Sequence, residues 1–250
     1  MMDEETLQHH LKHVHKQTVL SENLKELVYG GIDGIITTFA VVAGFTGATM
    51  MSVGQTENGT ALSASVVLIF GLANLFADGF SMGVGDFLSS RAEKKLFDRE
   101  RHKEVLAIKS DEKFEYDETI FILMENGFTK EDAGIVTDIY KKNPDFWAEF
   151  MMRHELNMTQ PENLPVRSAA ITFIAFIVFG SVPLLPYMID IPSFDGKFVT
   201  ASIFAAIALG ILGIIRAKFT KECILRSVAE IVGLGMVAAF IAYFVGTLFT

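Results

Sequence analysis

Leu62–Lys103 reads LSASVVLIFGLANLFADGFSMGVGDFLSSRAEKKLFDRERHK, an apolar run that ends in a burst of Lys, Arg and Glu. Its first part, through about Leu88, is long and apolar enough to cross a bilayer core of about 30 Å, which takes about 20 helical residues. From Ser90 onward no Gly or Pro intervenes before Gly127, so the helix is expected to continue out of the lipid, with Ser110-Asp111 as a potential break. A span that runs on into a charged helix sets the plan of the chain. Four further stretches qualify as spans: Leu27–Met51, Val166–Ile189 with Pro183 and Pro186 inside it, Phe198–Ile215, and Val228–Phe249.

The fold class is therefore an all-α polytopic membrane protein with five transmembrane helices and a helical cytoplasmic insert between the second and third. The expected division is a tail over 1–25, two spans over 26–90, the insert over 91–165, and three spans over 166–250. Half of the 250 residues are hydrophobic and they are clustered, which a soluble domain of this length rarely shows. A net charge of −9 leaves no basic face to neutralise phosphates and argues against a nucleic-acid partner. One cysteine, Cys223, excludes a disulfide framework or a Cys-rich zinc site. The first residues, MMDEETLQHHLKHVHKQTVL, lack the apolar core of a cleavable signal, so the first span is expected to direct insertion.

Lys and Arg set the orientation. Lys12, Lys16 and Lys25 precede span one, Arg91 to Lys103 follow span two, and Arg216, Lys218, Lys221 and Arg226 link spans four and five. The loop 52–61 has no Lys or Arg, and the loop after span three has only Lys197. The amino terminus and the insert are expected inside and the carboxyl terminus outside. In the insert, Asn126-Gly127 reads as a helix stop and Thr129 with Asp132 as a capping box. Asn143-Pro144 reads as a second stop, with Asp145 capping a last helix to about Asn157.

An ionisable side chain at lipid depth costs about 2.5–3.5 kcal/mol on insertion scales, so a functional reading is the default. Asp33 lies in Tyr29-Gly-Gly-Ile-Asp-Gly34, whose glycines allow close helix approach or a local opening towards an ion. The bland alternative is an interfacial carboxylate that caps or snorkels. In span two, Asn74, Asp78, Met82 and Asp86 recur every four residues and share one face, a ladder of oxygen and sulfur donors. Packing alone explains a lone methionine. Carboxylates on both sides of it favour a borderline cation such as Fe²⁺, whereas Mg²⁺ or Ca²⁺ gains nothing from a thioether. Gly79 and Gly83 would allow tight helix approach beside the ladder. The last three spans read as ordinary packing helices, and Glu230 as the i,i+4 ion-pair partner of Arg226.

In the insert, Glu93, Glu100, Glu104, Asp111, Glu115 and Glu118 stay close in helical angle if the helix is continuous, giving one carboxylate stripe. A solvated face is the usual reading of such charges. Like charges at i,i+4 repel, however, and a bound cation would remove the repulsion. The last helix adds Glu149, Met151, Met152, His154 and Glu155. His9, His10, His13 and His15 read as a polar tail rather than a metal scavenger.

Tyr29-Gly-Gly-Ile-Asp-Gly-Ile-Ile-Thr-Thr-Phe-Ala-Val-Val-Ala-Gly44 resembles the first span of the vacuolar iron transporter family. Gly71-Leu-Ala-Asn-Leu-Phe-Ala-Asp-Gly-Phe-Ser-Met-Gly-Val-Gly-Asp86 resembles its second. The resemblance extends over nearly the whole chain. It implies a homodimer in the lipid bilayer that moves Fe²⁺, and often Mn²⁺, out of the cytosol in exchange for protons. It also implies a path along the paired first and second spans, and no prosthetic group. The family's first-span aspartate matches Asp33 and its second-span methionine matches Met82. Its insert is a three-helix metal-binding domain, and Glu104, Glu115, Glu118, Met151 and Glu155 look like the matching ligands. Asp78 and Asp86 complete the candidate set, Asp86 standing where glutamate is commoner. Ala107 stands where a further glutamate is expected. The simple tail points to a bacterial inner membrane, with a vacuolar membrane left open.

Two rival readings remain at this level. A membrane-tethered ferritin-like iron oxidase needs Glu-x-x-His pairs, and none of the six histidines has Glu three residues before it. A membrane-anchored adaptor would need neither Asp33 nor the polar ladder.

Overall fold

The computed structural model describes residues 23–50, 59–161, 164–189 and 194–248. The expectations for the histidine tail and for most of the loop 52–61 fall outside them. The chain is helical, with no strand among the described residues. In order, α1 is Leu24–Met50, α2 Gly59–Ser110, α3 Glu112–Glu125, α4 Lys130–Tyr140, α5 Pro144–His154 and α6 Pro165–Gly180. A 3-10 turn at Val182–Leu184 leads to α7, Leu185–Met188, then α8, Phe194–Thr220, and α9, Ile224–Thr247. Five helical segments among the described residues are long and apolar enough to cross a membrane: Leu24–Ala48, the apolar first part of Ala64–Ser110, Pro165–Met188, Gly196–Thr220 and Ile224–Thr247. The chain forms two compact units, one of residues up to Asp86 with Val166–Thr250, the other Phe87–Pro165.

In the span unit, α1 packs against both α8 and α9. Ile35 of α1 joins Ala205, Leu209, Leu212 and Ile231, while Val42 joins Leu75, Phe176, Leu184 and Tyr187. Lipid tails are as apolar as these side chains, so burial alone does not hold helices together there. Close contact at small residues does. A Cβ added at Gly30 would stand 2.6 Å from the Thr172 carbonyl oxygen, and one at Gly180 would stand 2.8 Å from that of Gly34. Gly79 and Gly83 seat α2 in the same way against Phe176 and Phe173. Pro183 and Pro186 break the third span where expected, because a ring nitrogen donates no helix bond. At the α8–α9 turn, Ser227 Oγ donates to the Gly213 carbonyl at 3.0 Å, and Glu230 accepts from Arg226 at 3.1 Å and from Arg216 at 3.3 Å. The ion-pair reading of Glu230 holds.

The insert unit takes the second part of α2 together with α3, α4 and α5. The expected break is real: α2 ends at Ser110, and Asp111 caps α3 by accepting the Phe114 amide. The single long stripe therefore does not exist. Its members are dealt onto two helices, Glu93, Glu100 and Glu104 on α2, Glu115 and Glu118 on α3. Gly127, at φ +94°, carries the stop after Asn126, a conformation that favours glycine. Thr129 caps α4 as expected. Asn143, not Asp145, caps α5, because Pro144 occupies the first helical position and has no amide to satisfy. Asp145 instead accepts from Arg101 at 3.2 Å, tying α5 to α2, and Lys141 pairs with Glu112. Trp147, Ala148 and Met151 of α5 pack on Ile108 of α2 to form the core.

Gly30→Ala is expected to lower the melting temperature of the detergent-solubilised protein through overpacking worth about 1–3 kcal/mol. Gly210, with open space around it, is the control: Gly210→Ala should be neutral or stabilising by up to about 1 kcal/mol of helix propensity.

Candidate metal sites

Asp33 lies within electrostatic reach of Asp78 on α2. The two carboxylates come from the first and second spans, and both are half-buried. Asn74 Nδ2 donates to Asp78 Oδ2 at 2.7 Å, as expected for side chains four apart on one face. Met82, one turn further, is also half-buried and packs against the cluster around Leu75 and Phe176. The ladder thus borders the buried glycine face of α2 rather than facing outward.

Asp86 is held differently. Ser168 Oγ of α6 lies 2.6 Å from Asp86 Oδ2 and 3.2 Å from Glu26 Oε1, and Thr172 Oγ1 lies 3.3 Å from the same Asp86 oxygen. The other Glu26 oxygen is buried without a hydrogen-bond partner. Reading the third span as plain packing was wrong: its hydroxyls at Ser168 and Thr172 serve a carboxylate. The signal was their spacing of four, which puts both on one face of α6. Among the described residues, none of Asp33, Asp78 and Asp86 has a Lys or Arg partner.

In the insert, the break after Ser110 folds the two acidic rows onto each other. Glu104 and Glu115 are both buried, and each has one carboxyl oxygen, Oε1 and Oε2 respectively, without a hydrogen-bond partner. Burial first, then the charges of Glu115 and Glu155, a hydrogen bond that protonated Glu104 donates to Glu115, and the charge of Glu118 push Glu104 up to about 8. Glu115 is also raised, by burial and then by Glu118 and Asp111, against the opposing bond with Glu104. Glu155 is raised by partial burial and the charges of Glu118 and Glu115. The pair therefore shares a proton, titrating as a unit. Glu100 shows what a satisfied neighbour looks like: hydrogen bonds from Lys103 and Arg99 hold its carboxyl below the usual range. Met151 is fully buried, its Sδ 3.3 Å from Thr119 Oγ1.

The structure thus brings Asp33 near Asp78, and groups Glu104, Glu115, Glu118 and Glu155. Among the described residues no three His, Cys, Asp or Glu side chains converge to enclose an ion by themselves. A carboxylate pair needs further donors, from thioethers, water or a second copy. Thr119 and Trp147, which turn out to abut Met151, gave no sequence signal, because buried Thr and Trp are ordinary core residues.

A profile of the VIT family matches residues 24–247. The chain is 34% identical to a vacuolar iron transporter of Toxoplasma gondii over 91% of its own length and 74% of the relative's. It is 31% identical to vacuolar iron transporter 1 of Arabidopsis thaliana, covering 96% of this chain and 91% of that one. A vacuolar iron transporter of Plasmodium falciparum is 30% identical over 94% and 85%.

The folded insert keeps a proton on its carboxyl pair up to a pH of about 8, whereas an ordinary glutamate releases it near 4.5. Folded protein binds more protons across that window, so the metal-free insert loses stability as pH rises from 4.5 through about 8. Glu104→Gln should flatten that dependence in thermal melts run in chelator, and raise the melting temperature at the alkaline end.

Proposed function

The chain belongs to the VIT family, and on that premise we propose that it exports a divalent transition metal, Fe²⁺ or Mn²⁺, from the cytoplasm in exchange for protons. Relatives named vacuolar iron transporters support metal transport across a membrane as its task. The observation that supports the finer reading is that Asp33 of the first span lies within electrostatic reach of Asp78 of the second, and that neither has a Lys or Arg partner among the described residues. Carboxylates left so at lipid depth are stabilised by a cation or a proton, and the two compete.

In this reading the insert collects the metal through Glu104, Glu115, Glu118, Met151 and Glu155. The span path passes it along Asp86, Met82, Asp78 and Asp33. Oxygen donors suit both ions, and the thioethers favour the softer Fe²⁺ over Mg²⁺ or Ca²⁺. A homodimer is part of the proposal, because a second copy supplies the donors that one carboxylate pair lacks. The amino terminus and the insert lie in the cytoplasm and the carboxyl terminus outside. The membrane is a bacterial inner membrane, and a vacuolar membrane fits the same chemistry. Transport needs no prosthetic group and no covalent step, which makes this a secondary transporter and not an enzyme.

In proteoliposomes with an imposed pH gradient, the wild-type chain should carry Fe²⁺ or Mn²⁺ with counter-movement of protons. Asp33→Ala should abolish both fluxes, and Met82→Leu should slow Fe²⁺ more than Mn²⁺. Glu230→Gln should leave them intact. Undiminished metal flux in Asp33→Ala would remove Asp33 from the path.

A further inference from the structure

Thr119 is fully buried at the centre of the insert, and its hydroxyl is in contact with three groups. It accepts the Trp147 indole N–H at 2.7 Å, reaches the Glu115 carbonyl oxygen at 2.7 Å, and lies 3.3 Å from Met151 Sδ. A hydroxyl offers one proton and two lone pairs. Trp147 occupies a lone pair, and the Glu115 carbonyl is a better acceptor for the proton than a thioether. Met151 sulfur therefore packs against the Thr119 oxygen at 3.3 Å without its lone pairs being consumed.

The helical spacing gives that contact a purpose. Glu115 lies one turn before Thr119 on α3, and Glu155, which caps the end of α5, lies four residues after Met151. Trp147 lies one turn before Met151, so Thr119 is wedged between the two and fixes the register of α3 against α5. Ile108, one turn after Glu104 on α2, packs in the same cluster as Met151 and Trp147. One buried hydroxyl thus links the helix carrying Glu115 and Glu118 to the helix carrying Met151 and Glu155. A hydrocarbon side chain of the same size would fill the space but would leave the indole N–H without an acceptor.

We propose that Thr119 is a positioning residue for metal capture by the insert, holding the Met151 thioether at the carboxylate layer and so biasing the site towards cations that accept sulfur. The proposal rests on the metal-binding reading of the insert. It is specific to Thr119 acting through Met151, and it does not require Thr119 to touch the ion. Trp147, the chain's one tryptophan, reports the contact by fluorescence.

The test is calorimetric titration of the full-length protein in detergent with Co²⁺, an air-stable ion that takes sulfur donors, and with Mg²⁺, which does not. Thr119→Val and Met151→Leu should each weaken Co²⁺ binding by about tenfold, the lower end of effects seen for supporting residues, and leave Mg²⁺ binding unchanged. Thr119→Ser should restore Co²⁺ affinity and the Trp147 emission, and the Val/Leu double variant should bind Co²⁺ no more weakly than either single. If Thr119→Val fails to fold, as judged by melting, Trp147→Phe removes the same anchor and should give the same selective loss. A loss shared equally by both ions, or one that adds in full to that of Met151→Leu, would mean a merely structural role and overturn the proposal. Wild-type Co²⁺ affinity in Met151→Leu would overturn it too, by removing the thioether. If Glu104→Gln also bound Co²⁺ normally, the metal-binding reading of the insert itself would fall.

Discussion

Carboxylates buried or half-buried beside other carboxylates, with no basic side chain to answer them, govern both units of this chain. Glu100, Glu112 and Glu230 each meet Lys or Arg and are settled as ion pairs. Asp33 and Asp78 in the spans, and Glu104 and Glu115 in the insert, are not. Buried like charges oppose each other, and such a group gives up its charge to a proton or shares it with a cation. A fold selected for stability alone would replace these residues with apolar ones, since an unpaired buried charge costs more than any contact it makes. Their presence in both units is what the proposed exchange of a cation for protons would use.

Glycine decides where those carboxylates can stand. Gly30 and Gly34 admit the α6 backbone against α1, and Gly79 and Gly83 admit α6 side chains against α2. Three helices meet with their small faces inward, and the polar faces fall on the border of that contact. Asp33, Asp78, Met82 and Asp86 are all half-buried for this reason. Ser168 and Thr172 then satisfy Asp86 with hydroxyls, which neutralise no charge and leave the carboxylate able to bind a cation.

Much of this was legible in the residues. Apolar length gave the spans, because a helix crossing lipid must satisfy its own backbone and has few other options. The spacing of Asn74, Asp78 and Asp86 gave their shared face, since helical periodicity is a local property. What escaped was tertiary. The acidic stripe was legible as a set of residues but not as two rows, because Asp111 serves as a helix cap only once the chain turns there to pack the next helix. The cap at Asn143 was misplaced by two residues because Asp145 is an equally good capper in isolation, and only Pro144 in the first helical position decides the matter. Ser168 looked like filler until α6 was set against α2.

Placing oxygen and sulfur donors together has a consequence for exchange. A site built only of ionised carboxylates binds a divalent ion through charge, and so holds whichever such ion is most abundant. A thioether adds no charge and binds no proton at physiological pH, yet it contributes to a borderline metal. Protonation therefore removes the carboxylate part of the binding and leaves the sulfur part, which alone is weak. In the proposed exchange, metal selectivity thus resides in Met82 and Met151 and release resides in the aspartates and glutamates. Unpartnered carboxyl oxygens such as Glu104 Oε1 and Glu115 Oε2 are what such a division of labour requires. A permanent Lys or Arg partner would keep those oxygens charged to lower pH and compete with both the proton and the metal.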